Sequence, residues 1–408
     1  MIARVAALPR EVRQYLLVTG NYWGFTLTDG ALRMLVVLYF HQLGYSALEV
    51  ALLFLFYEFF GVVTNLVGGW LGARLGLNRT MNLGLGLQIV ALAMLLLPTA
   101  WLTVPWVMAA QALSGIAKDL NKMSAKSAIK GLVPAGDEGH TSLYRWVALL
   151  TGSKNALKGV GFFLGGLLLT LIGFQGAILA MALMLAGVLG LSLLRLDADL
   201  GRAKAKPKFR EILSKSRAIN ILSAARMFLF GARDVWFVVA LPVFLATQFG
   251  WDHWRVGGFL ALWVIGYGAV QAVAPRITGR TAGRSAAIAW AAALAALPAL
   301  IALGLQVQGL EWLPHVVLLG GLLLFGAVFA VNSSLHSFLI VRMARSDGVS
   351  LDVGFYYMAN AMGRLIGTLL SGWLYMTGGL SATLWVSSAM LMATVAISLA
   401  LPREPDTY

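Results

Sequence analysis

The chain has 408 residues, of which 59% are hydrophobic and 12% charged, whereas soluble domains run at roughly 45–50% and about 25%. That excludes an ordinary soluble globule and a disordered chain, and the lack of Cys excludes a disulfide scaffold, a thiolate metal site and a cysteine nucleophile. A formal charge of +14 would suggest nucleic acid in a soluble protein, but the positions of the charges give it another meaning.

Apolar runs able to cross a ~30 Å hydrocarbon core, which takes about 20 helical residues, recur along the whole chain. Twelve spans are predicted, over residues 16–43, 48–71, 80–98, 105–125, 143–170, 173–194, 219–247, 254–275, 286–306, 313–340, 354–376 and 380–401. Lipid offers backbone groups no partners, so runs of this length are helices; barrel strands would be about half as long and alternating. The first run is too long for the apolar part of a signal peptide, and no small-residue cleavage site precedes it. The expected fold class is an all-α integral membrane protein with twelve transmembrane helices.

The connections set the orientation. Of 31 Lys and Arg, 22 fall at the N-terminus, in the even-to-odd loops, in the central linker and at Arg403, while the opposite connections hold one, Arg255. The positive-inside rule then places both termini and the linker in the cytoplasm. Most of the net charge is therefore topology. The linker bases Arg202, Lys204, Lys206, Lys208, Arg210, Lys215 and Arg217 suit a solvated connector, with anionic membrane lipid as the alternative partner.

An internal repeat runs through the sequence. Adding 206 to a residue number carries Gly44, Tyr45, Val50, Tyr57, Leu71 and Arg74 onto Gly250, Trp251, Val256, Trp263, Ile277 and Arg280, and an offset of 205 carries Asn155-Ala156-Leu157 onto Asn360-Ala361-Met362. The chain divides into an N-terminal six-helix half (1–195), a basic linker (196–218) and a C-terminal six-helix half (219–408) in parallel orientation. Duplicated halves point to an alternating-access carrier rather than a channel or receptor.

Eight bases fall inside spans, Arg33, Lys118, Lys122, Lys154, Lys158, Arg226, Arg233 and Arg364, with four acids, Asp29, Glu58, Asp119 and Asp234. At ~2.5–3.5 kcal/mol each, twelve unpaired charges would cost roughly 30–42 kcal/mol, against a typical net stability of ~5–15 kcal/mol. They must pair or line water. Asp29 with Arg33, and Asp119 with Lys122, have the spacing of helical ion pairs, and Glu58 or Asp234 could take one more base across helices. Four positives remain in surplus, which suits an anion.

Depth separates the candidates. Lys154 lies about 16 Å along its helix from Leu143, and Arg364 about 16 Å from Val353, near the middle of a ~30 Å core. Neither has an acid within four residues, which favours ligand contact. For Arg33, partnership with Asp29 and ligand contact stand level, while Lys122 and Lys158 could instead snorkel to water. The substrate-binding candidates are Arg33, Lys118, Lys154, Lys158, Arg226, Arg233 and Arg364 with Asn155 and Asn360; Asp29, Glu58 and Asp234 are candidates for proton coupling. The five His lack metal spacing, with His336 read as a polar gap-filler, and no phosphate loop, zinc motif or nucleophile elbow occurs. Neither catalytic residues, a metal, a cofactor nor a nucleic-acid partner is expected.

Two motifs carry a resemblance. GWLGARLG at 69–76 with Arg79 resembles the loop between the second and third helices of the major facilitator superfamily, with Ala73 where Asp is usual, and GFFLGG at 161–166 resembles its fifth-helix antiporter motif, with Phe162 where Pro is usual. The stretches NYWGFTLTDG at 21–30, SGIAKDLNKMS at 114–124 and GSKNALKG at 152–159 resemble more closely the organoarsenical efflux permeases of bacterial arsenic-resistance operons, the ArsJ type. This resemblance implies export of 1-arseno-3-phosphoglycerate, made by a glyceraldehyde-3-phosphate dehydrogenase acting on arsenate, and a contribution to arsenate resistance. A monomer is expected. An antiporter for another organic phosphate or sugar phosphate would need the same central bases and stands as the alternative.

Overall fold

The computed structural model describes residues 9–44, 53, 55–132, 137–197, 208–213, 216–251, 253–279, 282–307 and 313–402. Among the described residues there are twelve long helices and no strand. In chain order they are α1 (Arg10–Gln42), α2 (Leu55–Leu75), α3 (Leu77–Met94), α4 (Val104–Leu132), α5 (137–172), α6 (174–195), α7 (Arg217–Thr247), α8 (His253–Thr278), α9 (Arg284–Gly304), α10 (Leu313–Met343), α11 (349–378) and α12 (380–398). The helices follow the predicted spans but run past several of them. Thus α4 continues to Leu132 and α1 begins at Arg10, because a helix can extend beyond its apolar stretch once its backbone bonds are internal. The start of the second predicted span and linker residues 198–207 and 214–215 lie outside the described residues.

Glycines turn the chain where helices meet end to end. A single residue, Gly173 (φ 68°, ψ 178°), separates α5 from α6, and Gly379 (φ 66°, ψ −166°) separates α11 from α12. A side chain disfavours such a φ, and every described residue with positive φ is a glycine. Gly173 and Gly379 differ by the repeat offset of 206, as do Gly44 and Gly250, which also have positive φ. The repeat read in the sequence is thus a repeat of backbone conformation.

Glycines also let helices touch. A Cβ on Gly161 of α5 would lie 2.7 Å from the Leu27 carbonyl oxygen of α1, and one on Gly367 of α11 would lie 2.6 Å from that of Gly231 on α7. Each half therefore brings its first and fifth helices to backbone contact, the small-residue packing that replaces hydrophobic drive within lipid.

Contacts divide the chain into two compact units, one comprising 1–146, 153–214 and 344–358, the other 147–152, 215–343 and 359–408. The first has a core built around Phe25, Leu35, Phe40, Leu92, Val107 and Ile178. Buried polar bonds tie its helices together: Asn121 donates to Asn21 at 3.1 Å, Asn21 to Ser192 at 3.0 Å and Ser192 to Asn82 at 2.5 Å. The second is aromatic, with Trp236 packed edge-on against Phe325 and Trp263 at 5.1 and 6.1 Å.

The helix crossing yields a test. Gly161→Val should push α5 off α1 and lower the thermal midpoint of the purified protein, an overpacking cost of about 3 kcal/mol. Gly187→Ala, where a Cβ would meet nothing within 4 Å, should leave the midpoint unchanged.

Candidate functional site

Most of the described charged side chains within the spans gather into one cluster in each unit. In the first unit the hub is Tyr57 of α2, which is buried. Its hydroxyl donates to Asp29 Oδ1 at 2.6 Å. The same ring carries two cations: Lys118 Nζ lies 3.7 Å from its centroid and the Arg33 guanidinium carbon 5.0 Å. A phenol suits this position because its face attracts cations and its hydroxyl bonds the carboxylate. Tyr57 thus presents its hydroxyl to Asp29 and its face to Arg33, between the two residues whose spacing suits a helical ion pair.

Lys158 joins this cluster from α5. Gly30 allows the Lys158 backbone to approach α1, since a Cβ there would lie 2.7 Å from its carbonyl oxygen. The Lys158 ammonium is repelled by Arg33, Lys154 and Lys118 and attracted by Asp29. Next to it on α5, Lys154 Nζ donates to Asn155 Oδ1 at 3.2 Å, and Ser153 accepts from Trp23 of α1 at 2.8 Å. Arg33, Lys118, Lys154 and Asp29 thus all lie close enough to act on Lys158. The Asp119–Lys122 pair forms separately on α4, at 2.5 Å.

In the second unit the hub is Asp234 of α7, fully buried. Its Oδ1 accepts from Arg233 at 2.5 Å and its Oδ2 from Arg364 of α11 at 3.1 Å. Arg364 therefore has an acid partner that sequence distance concealed, because the bond crosses from α11 to α7. Two turns back, Arg226 is only 2% exposed; it donates to Asn360 Oδ1 at 2.9 Å and to the Ser333 carbonyl at 3.1 Å. Phe230 lies between the two α7 arginines, 3.9 Å from Arg226 and 4.9 Å from Arg233.

All seven candidate binding bases thus sit in one or other cluster, three with Asp234 and Asn360 and four with Asp29 and Asn155. The repeat-related Asn155 and Asn360 each present Oδ1 to a base. The side chain of Glu58 lies outside what the structure describes. Tyr57 and Phe230 were not singled out by charge; the signal for Tyr57 was its register with Trp263 in the repeat. Chemically, each cluster carries groups of the kind that bind oxyanions, with arginine forks on one and mainly lysine point charges on the other.

A model of the Major Facilitator Superfamily matches residues 16–349. The chain belongs to that superfamily. Its fold is similar to that of the human organic anion transporter MFSD10 (TETRAN), at 16% identity and TM-score 0.75 over 96% of this chain and 100% of that one. It is likewise similar to the E. coli fucose:proton symporter FucP, at 13% identity and TM-score 0.76 over 97% and 100% of the chains. A bacterial homologue of the iron transporter ferroportin, in an outward-facing state, matches at 14% identity and TM-score 0.75 over 97% and 99%. No curated protein matches the sequence. As a superfamily member the chain is a multi-pass membrane protein and a secondary transporter of a small molecule, and not an enzyme. Among the described residues, six helical stretches, including α5–α6 and α11–α12 as continuous pairs, are apolar and long enough to cross a membrane on those grounds alone.

Asp234 offers a direct test of anion binding. Asp234→Asn leaves Arg233 and Arg364 without their shared carboxylate, which should cost about 3 kcal/mol in thermal unfolding. Added inorganic phosphate should restore more of the midpoint in this variant than it adds to the wild type.

Proposed function

We propose that the protein exports a phosphorylated organoarsenical, 1-arseno-3-phosphoglycerate, from the bacterial cytoplasm by alternating access, and so contributes to arsenate resistance. The observation that carries this reading is the excess of base over acid in both clusters: Arg33, Lys118, Lys154 and Lys158 against Asp29, and Arg226, Arg233 and Arg364 against Asp234. Two basic clusters, one in each unit, suit a substrate with two oxyanion groups, a phosphate at one end and an arsenate at the other. Inorganic arsenate has one. The choice of arsenic over a second phosphate comes from the resemblance of stretches 21–30, 114–124 and 152–159 to organoarsenical permeases, with a glyceraldehyde-3-phosphate dehydrogenase as the enzyme that supplies the ester.

Binding would act through the hubs. An oxyanion entering the first cluster competes with Asp29 and Tyr57 for Arg33 and Lys118, and one entering the second competes with Asp234 for Arg364. The carboxylate displaced in this way loses part of its cationic surroundings. Asp29 is thus the first candidate to couple transport to protons, with Asp234 and Glu58 after it.

Uptake into inverted vesicles tests the proposal, comparing the organoarsenical, 3-phosphoglycerate and inorganic arsenate. The organoarsenical should be taken up fastest and arsenate least. Lys154→Gln and Arg364→Gln should each reduce uptake at least a hundredfold without loss of protein from the membrane; wild-type kinetics in both would refute the assigned binding bases. Asp29→Asn should abolish the response to a pH gradient, and a retained response would move the coupling elsewhere. In cells, the protein alone should give little arsenate resistance, and resistance should appear when the ester-forming dehydrogenase is present. Full protection by the permease in a host that makes no such ester would refute the choice of substrate.

A further inference from the structure

Helix α10 is buried without a break from Phe329 to Val341, and this stretch contains a polar run, Asn332, Ser333, Ser334, His336 and Ser337. The first two are bonded to neighbouring helices. Asn332 Nδ2 donates to the Trp290 carbonyl of α9 at 2.9 Å, Ser333 Oγ accepts from Gln271 Nε2 of α8 at 3.0 Å, and the Ser333 carbonyl accepts from Arg226 of α7 at 3.1 Å. The last three are not. Ser334 Oγ, Ser337 Oγ and both ring nitrogens of His336 have no hydrogen-bond partner among the described residues, and all three side chains are fully buried. A histidine that only fills a gap would be bonded there, because a buried donor or acceptor left unpaired destabilises the fold.

The position of His336 links it to the second cluster. In an α-helix the carbonyl of Ser333 points along the axis to the N–H of Ser337, beside the side chains one turn on. The Arg226 guanidinium, bonded to that carbonyl, is therefore set at the level of His336 and Ser337, and its charge acts on the imidazole. On α7 itself Ser223, one turn before Arg226, is 1% exposed, and its hydroxyl likewise has no partner among the described residues. Neutral hydrogen-bonding groups thus accompany the guanidinium on both α7 and α10. The fork of an arginine suits a phosphate. A neutral imidazole has one donor and one acceptor, and its acceptor receives nothing from a phosphate dianion; an alcohol, which both donates and accepts, satisfies the two together.

We propose that His336, with Ser337 beside it, binds the hydroxyl of a phosphorylated hydroxy acid whose phosphate is held by Arg226, and so sets the selectivity of the carrier. In a phosphoglycerate the hydroxyl sits on the carbon between the phosphorylated carbon and the acyl group, one carbon from the group that Arg226 takes. Inorganic phosphate and arsenate have no such hydroxyl on carbon. An acid that lacks it leaves buried polar groups unpaired, which is how a site built for a hydroxyl rejects the analogue without one. The histidine is then a polar residue whose partner arrives with the substrate. The proposal rests on the anion-export reading, and adds to it a neutral contact that separates organic phosphates of the same charge.

Calorimetric binding to the purified full-length protein tests this with two acids, 3-phosphoglycerate and 3-(phosphonooxy)propanoate, which is the same molecule without its hydroxyl. The wild type should bind 3-phosphoglycerate at least tenfold more tightly. His336→Leu should bring that ratio to about one by weakening 3-phosphoglycerate alone, and His336→Gln, which keeps a donor and an acceptor, should retain most of it. Arg226→Gln should weaken both acids by a similar factor, since the phosphate is common to them. Equal binding of the two acids by the wild type would overturn the proposal, whether or not any variant folds. A His336→Leu protein that loses affinity for both acids alike would show a packing role only, and one that keeps the wild-type ratio would show nitrogens bonded to water only; either overturns the hydroxyl contact. A wild type that binds neither acid overturns it too, and if the organoarsenical is also not transported the export reading falls with it. Transport of the organoarsenical together with a ratio of one would overturn the hydroxyl contact alone.

Discussion

Excess positive charge inside a membrane-spanning bundle is the constraint to which the rest of this structure answers. Eight bases lie within predicted spans, and each would destabilise an apolar helix by kilocalories if left to lipid. The protein meets this in three ways: it shares one carboxylate between two guanidiniums, as at Asp234; it lays cations on aromatic faces, as at Tyr57 and Phe230; and it offers amide and carbonyl oxygens, as at Asn360 and Ser333. None of these removes the net charge. A neutral partner lowers the cost of burial while leaving a cation available to a better ligand, which is the property a carrier needs at a site that must both fill and empty.

Much of the frame was legible because it depends on local pattern. Span number, span limits and the two-half repeat follow from apolar run length and from matches such as Gly44 with Gly250, and both of these glycines adopt positive φ. The charged residues themselves were legible too, since any Lys or Arg in an apolar run stands out. Their partners were less so. Spacing along one helix found Asp119–Lys122, yet it gave no sign that a tyrosine 28 residues away hydrogen-bonds Asp29. It left Arg364 without an acid, when Asp234 lies across a helix boundary. Partner choice between helices depends on rotation and crossing, which the glycine contacts set and which no single-helix period encodes.

Two lysines of α4 show the same limit in another form. Lys126 and Lys130 count toward the positive-inside bias, and that explanation is sufficient until the structure buries one of them against Tyr357. One residue can satisfy a topological rule and a specific contact together. In the same unit the second-to-third-helix motif departs from its usual form, with Ala73 in place of Asp. Ala73 instead packs in a small apolar cluster with Leu351 and Trp70.

The hairpins at Gly173 and Gly379 have a consequence for how the protein meets its surroundings. Two helices joined through one residue leave no loop to protrude. At these two corners the surface presents neither a linear peptide for an antibody to grip nor a strand that a protease could draw into its cleft. An inserted epitope tag there would have to break helix ends instead of lengthening a loop. The duplication that repeats the turn also repeats this reticence, making one matched pair of corners unreceptive to outside reagents.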